Sequence, residues 1–319
     1  MTLGVAGRVA SLLPSSYNAC VGGAAERVLV ATSTWNNRPI VELFIDYYRA
    51  VGASAVLALD FGSTDGTREL LAEHGADGFV HALDLPDLAE MRQSTILLRH
   101  AKEHFPTDTW CLFCDPDEFL VTSDMQLATV CRDVDGAIGA LLVPRHNVTA
   151  PRSAARDPAA RMMPDGVLTL RIDRRWLRGA EALQEVGRLE PPWIFTAVPG
   201  KVVVRLEAAN EMPISDHEAT LEPGWTTVEA ADAYLLHYPF RTFTEFVEKV
   251  ELATLDFAAN DWPPGYGWQY QSWFRARERG ELFSEYLDQF VADEEVPTLL
   301  AAGALVEDES VWQLLDRQR

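Results

Sequence analysis

The sequence predicts an α/β protein with a mostly parallel central sheet flanked by helices, in a Rossmann-like arrangement, followed by a C-terminal helical extension. Two observations support this. The first half alternates short apolar strands with amphipathic helices, which is the pattern of βαβ units. From about residue 262 the chain is rich in Trp and then has a helical pattern.

The first strand–helix–strand unit has the clearest signals. Residues 27–32 form a short apolar run that predicts a strand. Pro39 then begins a predicted helix whose apolar residues recur with a 3.6-residue period, and Gly52 closes it. Residues 55–59 predict a second strand, which ends at Asp60.

The following elements continue this alternation. We predict a turn at 62–66, a helix at 67–74, a strand at 79–83, a helix from the Asp87–Glu90 capping box to about His104, and a strand at 110–114. Because βαβ crossovers are right-handed, the carboxyl ends of these parallel strands meet at one edge of the sheet. Thr32, Asp60 and Asp115 are therefore expected to lie along that edge.

The pattern loosens after Leu120. Further strands are predicted at 140–144, 201–205 and 234–238, the last being the final strand, and a helix from Thr242 to about residue 257. Residues 150–166 have no periodicity and predict a mobile loop. Loops of this length are usually disordered or active-site lids.

Composition limits the classes of function. The chain has 319 residues, a formal net charge of −21 and a pI near 4.7. An acidic surface repels phosphate backbones, so no nucleic acid is expected as a partner. No stretch approaches a transmembrane segment of about 20 apolar residues, and no signal-peptide layout is evident, so a cytoplasmic location is expected. The four cysteines lack framework spacing and predict buried, reduced thiols.

The most informative segment is Asp115-Pro116-Asp117-Glu118, directly after the strand at 110–114. Ligands of open α/β sheets bind outside the carboxyl ends of strands. Two carboxylates there are suited to bind Mn²⁺ or Mg²⁺, and such an ion neutralises a diphosphate. The simpler alternative is a solvated acidic turn.

Four motifs occur in order along the chain: the Asp-Phe-Gly-Ser-Thr-Asp-Gly-Thr run at 60–67, the Asp-Pro-Asp-Glu-Phe-Leu run at 115–120, His237-Tyr238, and the Glu-Phe-Val-Glu-Lys run at 245–249. Together they resemble the motifs of family 2-like and family 92-like glycosyltransferases. Two departures are the run Asn36-Asn37-Arg38, where a Glu is usual, and Phe61, where an Asp or Asn is usual.

The resemblance implies a GT-A type fold at 27–260, with a nucleotide-binding half at 27–120 and an acceptor half at 121–260. Residues 1–26 would then be an N-terminal segment and 261–319 the C-terminal extension. The implied activity is that of a metal-dependent, hexosyltransferase-like glycosyltransferase. It would move a sugar from a UDP- or GDP-sugar donor to the hydroxyl of an unknown acceptor, with inversion.

The resemblance also implies nucleotide-binding roles, each beside a simpler alternative. Thr32 and Thr34 would frame the nucleobase. Asp60 would accept a base N–H, or only bond to its own turn. Asp115 would contact ribose or metal. Arg92 would reach a phosphate, or be a solvated helix residue.

The remaining implied roles concern the metal and the chemistry. Asp117 would bind the metal. His237 would complete the metal site, or be a buried His bonded to backbone. Asp216 and Glu218, which flank His217, are both candidates for the base that deprotonates the acceptor, and sequence does not separate them.

Three other functions are alternatives to the glycosyltransferase hypothesis. A nucleotidyltransferase would need a Gly-rich loop with a basic residue after the first strand. Residues 33–37 at that place read Ser-Thr-Trp-Asn-Asn and contain neither Gly nor a basic residue. A non-catalytic sugar-binding protein on the same fold would not need the intact Asp-x-Asp pair. A phosphatase that uses Asp-x-Asp is poorly matched by Glu118 and Phe119.

Overall fold

The computed structural model describes residues 26–84, 93–155, 169–177, 192–212, 216–259 and 267–317. Several predictions fall at least partly outside these residues. They concern Arg92, the Asp87–Glu90 capping box, Cys20, residues 156–166 of the predicted loop, residues 1–25 of the N-terminal segment, and residues 261–266 and 318–319 of the C-terminal extension.

The strands are labelled in chain order. They are β1 (Val28–Thr34), β2 (Ala55–Asp60), β3 (Val80–Asp84), β4 (Trp110–Phe113), β5 (Glu118–Thr122), β6 (Ile138–Val143), β7 (Arg145–Thr149), β8 (Leu170–Ile172), β9 (Lys201–Arg205), β10 (Ala209–Glu211), β11 (Thr220–Leu221), β12 (Thr226–Glu229), β13 (Ala233–His237) and β14 (Leu305–Glu307).

The α-helices are labelled in the same way. They are α1 (Arg38–Ala50), α2 (Thr67–Gly75), α3 (Gln93–His104), α4 (Arg152–Ala155), α5 (Phe243–Ala259), α6 (Trp268–Glu278), α7 (Leu282–Leu287), α8 (Val296–Ala301) and α9 (Ser310–Asp316).

The chain divides into two compact units that alternate along the sequence. The first unit comprises the described residues within Met1–Pro116, Gln126–Ala140 and Val202–Thr227. The second unit comprises those within Asp117–Met125, Leu141–Lys201 and Val228–Arg319.

A seven-stranded sheet has the order β12-β6-β9-β4-β1-β2-β3. Its β4-β1-β2-β3 portion lies in the first unit and is parallel, and β9 joins β4 in the antiparallel sense. Every residue of β2 is buried, as expected for a central parallel strand covered on both faces. Thr34 pairs in register with Asp60, so β1 and β2 end at the same edge, as predicted.

Helix α1 shows how local sequence builds the first unit. Pro39 occupies its first turn, where a missing N–H costs no helix hydrogen bond. Its apolar face, including Phe44 and Tyr47, is buried. Gly52 follows the helix with a φ of +82°, a left-handed conformation that favours glycine.

The second unit contains a five-stranded sheet of order β14-β8-β7-β13-β5. Only the β7–β13 pairing is parallel among the pairings within it. Its apolar core brings together Trp193, Phe246 and Trp273 with residues of the C-terminal helices, such as Tyr286 and Phe290. Packing against this core stabilises the short helices α7 and α8, which are too short to be stable alone.

The structure confirms the predicted α/β class, with a central sheet flanked by helices. Strand β1 extends two residues beyond the predicted end, to Thr34. The prediction that 234–238 is the final strand is wrong, because β14 follows it at Leu305–Glu307. Residues 152–155 of the predicted loop form α4. Cys111, Cys114 and Cys131 are buried free thiols, as predicted.

Among the described residues, no helix has the length and apolar character needed to cross a membrane.

Candidate functional site

The carboxyl ends of β1 and β2 carry a row of buried polar groups at the edge of the first unit's sheet. Thr32 and Thr34 lie two residues apart on β1, so their side chains share a face. Both are buried, and neither hydroxyl oxygen has a hydrogen-bond partner within the described part of the chain. Unsatisfied buried polar atoms are rare in folded proteins, so this edge has hydrogen-bonding capacity left over.

Asp60 makes the turn contacts that were one of its two predicted roles, and it also has a buried oxygen left over. Its Oδ1 accepts hydrogen bonds from the backbone N–H groups of Gly62 (3.0 Å) and Ser63 (2.9 Å), which is the turn role. The Nε of Arg68 lies 3.7 Å from the same oxygen. Its Oδ2 is buried without a hydrogen-bond partner among the described residues, and the residue is 1% exposed. A donor from a ligand would satisfy that oxygen.

The turn after Asp60 is held in place by its own side chains and by residues of the Asn36-Asn37-Arg38 run. Asp65 accepts from the backbone N of Arg38 (2.9 Å) and from the N–H and hydroxyl of Thr67. Burial acts to raise the pKa of Asp65, but these hydrogen bonds outweigh it, so the pKa lies below its ordinary value. Asn36 Oδ1 accepts from the Thr64 N–H at 2.7 Å. These residues therefore have structural roles.

Asp115 and Asp216 are brought together in the first unit, although about a hundred residues separate them in sequence. A carboxylate oxygen of each lies within 4.8 Å of the other. Both side chains are partly buried. The Asp216 carbonyl accepts from the Val202 N–H at 3.1 Å, which ties this segment to β9. Two carboxylates at this separation are suited to share a divalent cation.

The two candidate bases have different surroundings. The Asp216 side chain is 18% exposed, and His217 Nε2 lies 3.9 Å from its Oδ1. Glu218 is exposed. Of the two, only Asp216 is placed beside Asp115.

In the second unit, Asp117 lies between two basic side chains. Its Oδ1 is 3.8 Å from His237 Nε2, and its Oδ2 is 3.6 Å from Lys249 Nζ. The Tyr238 N–H donates to the Asp117 carbonyl at 2.9 Å, which holds Asp117 beside the end of β13. Lys249 therefore contacts Asp117, whereas Glu245 pairs with Arg241.

His237 is 4% exposed and contacts a side chain on the neighbouring strand, not only backbone. Its Nδ1 lies 2.9 Å from Oδ1 of Asn147 on β7. The ring of Trp193 packs edge-on against it, with centroids 6.0 Å apart. This environment fixes the position of the imidazole.

Glu118 is the buried centre of a charged cluster. Its carboxylate contacts Arg145 Nη1 at 2.5 Å and Lys201 Nζ at 3.4 Å. All three side chains are at most 7% exposed. Buried charges are tolerated when they are paired and hydrogen-bonded, so this cluster anchors β5 directly after the Asp-x-Asp segment.

The model of glycosyltransferase family 92 matches residues 30–275, which is well over half of the chain. The chain therefore belongs to glycosyltransferase family 92, and the predicted resemblance is confirmed. No curated protein matches the chain.

The solved structures to which the chain is distantly similar include two complexes with UDP. A crystal structure of residues 1–349 of S. aureus TarS in complex with UDP has 14% identity and a TM-score of 0.38, and the match covers 86% of this chain and 78% of that one. Mycobacterium tuberculosis glucosyl-3-phosphoglycerate synthase in complex with Mn²⁺, UDP and glucosyl-3-phosphoglycerate has 14% identity and a TM-score of 0.33, with 73% of this chain and 78% of that one covered.

Sequence reasoning missed three residues around this site, Asn147, Arg145 and Lys201. Asn147 belongs to an Asn-Val-Thr sequon, but it is fully buried within β7. The sequence contains one indication of these residues, since the polar run Arg145-His146-Asn147 closely follows a predicted apolar strand.

Proposed function

We propose that this family 92 enzyme transfers a sugar from a UDP- or GDP-sugar to an acceptor hydroxyl, with inversion, and that it depends on Mn²⁺ or Mg²⁺. In this proposal residues 27–120 provide the nucleotide-binding half and 121–260 the acceptor half. Inversion rests on the resemblance alone.

The observation that carries the proposal is the row of oxygens at the ends of β1 and β2 that have no hydrogen-bond partner among the described residues. Asp60 Oδ2 is a buried acceptor, and uracil N3–H and guanine N1–H are both donors that suit it. The hydroxyls of Thr32 and Thr34 can donate to or accept from the base edge. Burying these groups without a partner costs about 1–3 kcal/mol each, and a bound base would recover much of that cost.

The residues present fit a divalent cation. In the first unit, Asp115 and Asp216 offer carboxylate oxygens within 4.8 Å of each other. In the second unit, Asp117 offers carboxylate oxygens beside the imidazole of His237. Oxygen ligands suit Mg²⁺ and Mn²⁺, and an imidazole ligand such as His237 favours Mn²⁺ of the two. When bound, the cation would supply positive charge that neutralises the diphosphate as it departs.

The surroundings of the two candidate bases suggest different roles. A carboxylate engaged with a cation is a poor proton acceptor, so we assign Asp216 to the cation side of the site. Glu218 is exposed, and it is then the candidate that takes the acceptor proton. Arg92 stays a candidate for a phosphate contact.

The first test is a thermal-shift screen of nucleoside diphosphates and their sugars, with and without Mn²⁺. A ligand that binds only the folded protein raises its melting temperature. We expect a stabilising uridine or guanosine diphosphate whose effect requires the metal. If no nucleoside diphosphate stabilises the protein under any metal condition, the proposal is wrong.

The second test separates the acidic residues. Asp216→Asn should weaken donor binding together with turnover, whereas Glu218→Gln should cut turnover by roughly 10²–10⁴-fold with donor affinity nearly unchanged. NMR of the product's anomeric proton then reports whether the configuration is inverted. If Glu218→Gln turns over normally, the base lies elsewhere.

A further inference from the structure

Asn147 lies directly opposite His237 in the second unit's sheet. Strands β7 and β13 are parallel, and His237 pairs in register with Asn147. The amide of Asn147 is fully buried and bonded at both ends. Its Oδ1 lies 2.9 Å from His237 Nδ1, and its Nδ2 donates to the carbonyl oxygen of Ile194 at 2.8 Å.

The Ile194 carbonyl determines which way the amide points. A carbonyl oxygen only accepts hydrogen bonds, so the group that faces it must be the donating NH₂ of Asn147. The flipped amide would place its oxygen against the Ile194 oxygen, and two acceptors would then meet in a buried site. Asn147 Oδ1 therefore faces His237, and His237 Nδ1 must carry the proton that bridges them.

The Ile194 carbonyl is itself held in place by the C-terminal region. The Ile194 N–H donates to Gln289 Oε1 at 3.0 Å, and Gln289 Nε2 donates to the Glu285 carbonyl at 3.0 Å. Gln289 is 1% exposed and lies beyond residue 275, where the family match ends. Both backbone groups of Ile194 are thus fixed by buried side chains.

These contacts determine which imidazole nitrogen faces Asp117. With Nδ1 protonated toward Asn147, the second nitrogen of a neutral imidazole, Nε2, carries the lone pair. Nε2 is the atom that lies 3.8 Å from Asp117 Oδ1. A metal ligand needs that lone pair, and a hydrogen bond from the other ring nitrogen orients it and raises its basicity.

We propose that Asn147 is a positioning residue that holds His237 in the Nδ1–H tautomer, so that Nε2 presents its lone pair toward Asp117 for a divalent cation. The inference rests on the proposed role of His237 as a metal ligand. The tautomer itself is a property of the metal-free protein and is measured independently of that role.

The first measurement is ¹⁵N–¹H NMR of the histidine rings in metal-free protein, at a pH well above the ordinary pKa of histidine. His237→Gln identifies the signal of His237 among the seven histidines. The wild-type ring should show the Nδ1–H pattern, and Asn147→Ala should move it toward the Nε2–H form. If the His237 ring of the wild-type protein is in the Nε2–H form, that result alone overturns the inference.

The second measurement is the affinity for Mn²⁺ alone, by calorimetry. Asn147→Ala should weaken it about 10–100-fold, the usual effect of removing the partner of a ligating histidine. The control is Thr169→Val, which removes another buried hydrogen bond of this unit, with Trp312 Nε1 at 3.2 Å. Thr169→Val should keep the wild-type affinity.

The outcomes separate this inference from the proposed function. If His237→Ala weakens Mn²⁺ binding but Asn147→Ala does not, the positioning role is wrong and the ligand role stands. If His237→Ala leaves Mn²⁺ affinity unchanged, the ligand role in the proposed function fails, and so does the metal part of this inference. An equal loss in Asn147→Ala and Thr169→Val would mean that Asn147 acts only through stability, which also overturns the inference.

Discussion

Two clusters of buried polar groups, one in each unit, differ in how their polar atoms are satisfied. In the first unit, Thr32, Thr34 and Asp60 keep oxygens that have no partner among the described residues. In the second unit, Glu118 and His237 are joined to buried neighbours by short contacts. The first arrangement suits a surface completed by a ligand, and the second suits a scaffold that holds side chains before any ligand arrives. Substitutions in the two units should therefore fail in different ways.

The largest effect is expected from Asp117→Asn. It removes an anionic oxygen beside His237 and Lys249, so metal-dependent transfer should fall at least 10³-fold, equivalent to about 4 kcal/mol of transition-state stabilisation. The measurement is turnover of the donor identified by the thermal-shift screen. Glu251→Gln, which breaks an exposed pair with Arg277, is the control and should keep activity. Full metal-dependent activity in Asp117→Asn would rule out a metal role for Asp117.

The next largest effect concerns stability in the second unit. Glu118→Gln removes the buried anion that Arg145 and Lys201 both contact, and removing one partner of a buried ion pair costs about 3–5 kcal/mol. Chemical denaturation should report that loss in the free energy of unfolding. The control is Glu245→Gln, whose pair with Arg241 is more exposed and should change stability by less than about 1 kcal/mol. A loss below 1 kcal/mol for Glu118→Gln would mean that the cluster does not anchor β5.

Asp60→Asn tests the first unit and should spare its stability. The new amide keeps an oxygen for the turn but loses the anionic acceptor, so nucleoside diphosphate affinity should fall about tenfold, or 1.4 kcal/mol. Calorimetric titration measures this. Asp77→Asn, in a turn carboxylate that serves the Phe79 N–H and Arg49, is the control and should bind normally. If Asp60→Asn and Asp77→Asn bind the nucleoside diphosphate with equal affinity, Asp60 has no role in base recognition.

The two units also differ in how much of them the sequence predicts. The strands and helices of the first unit follow from hydrophobic periodicity, because apolar side chains fill both faces of strands such as β2. In the second unit, β7 buries Arg145, His146 and Asn147, and periodicity gives no strand signal for such residues. These side chains are buried because they find polar partners far away in sequence, and only the folded chain shows those partners.

The candidate site shows the same division. Asp115, Asp117 and His237 can be chosen as candidates from the sequence because local motifs contain them. The contacts of Asn147 and Gln289 cannot, because Asn147 is 90 residues from His237 and Gln289 is 95 residues from Ile194. Local sequence shows groups that carry chemistry, whereas long-range contacts determine how they are held.

The smallest effect is a pH dependence in the first unit. Burial, with repulsion from His104 and His81, lowers the pKa of His100 to about 4. Since this folded-state pKa lies below the unfolded value, the stabilising contribution is fully present above about pH 6.5 and is lost as the pH falls toward 4. The melting temperature should therefore decline over that range, and less steeply in His100→Gln. If the melting temperature of His100→Gln depends on pH as steeply as that of the wild type, His100 is not the source of this dependence.

The most direct test of the account is a calorimetric titration of the wild-type protein with UDP and with GDP, in Mn²⁺ and again in excess chelator. We expect that one of the two nucleotides binds in Mn²⁺ and binds at least tenfold more weakly in chelator, because the carboxylates then face the diphosphate without a cation between them. Equal affinity in both conditions would contradict a metal-dependent nucleotide site, and so would no binding of either nucleotide in Mn²⁺.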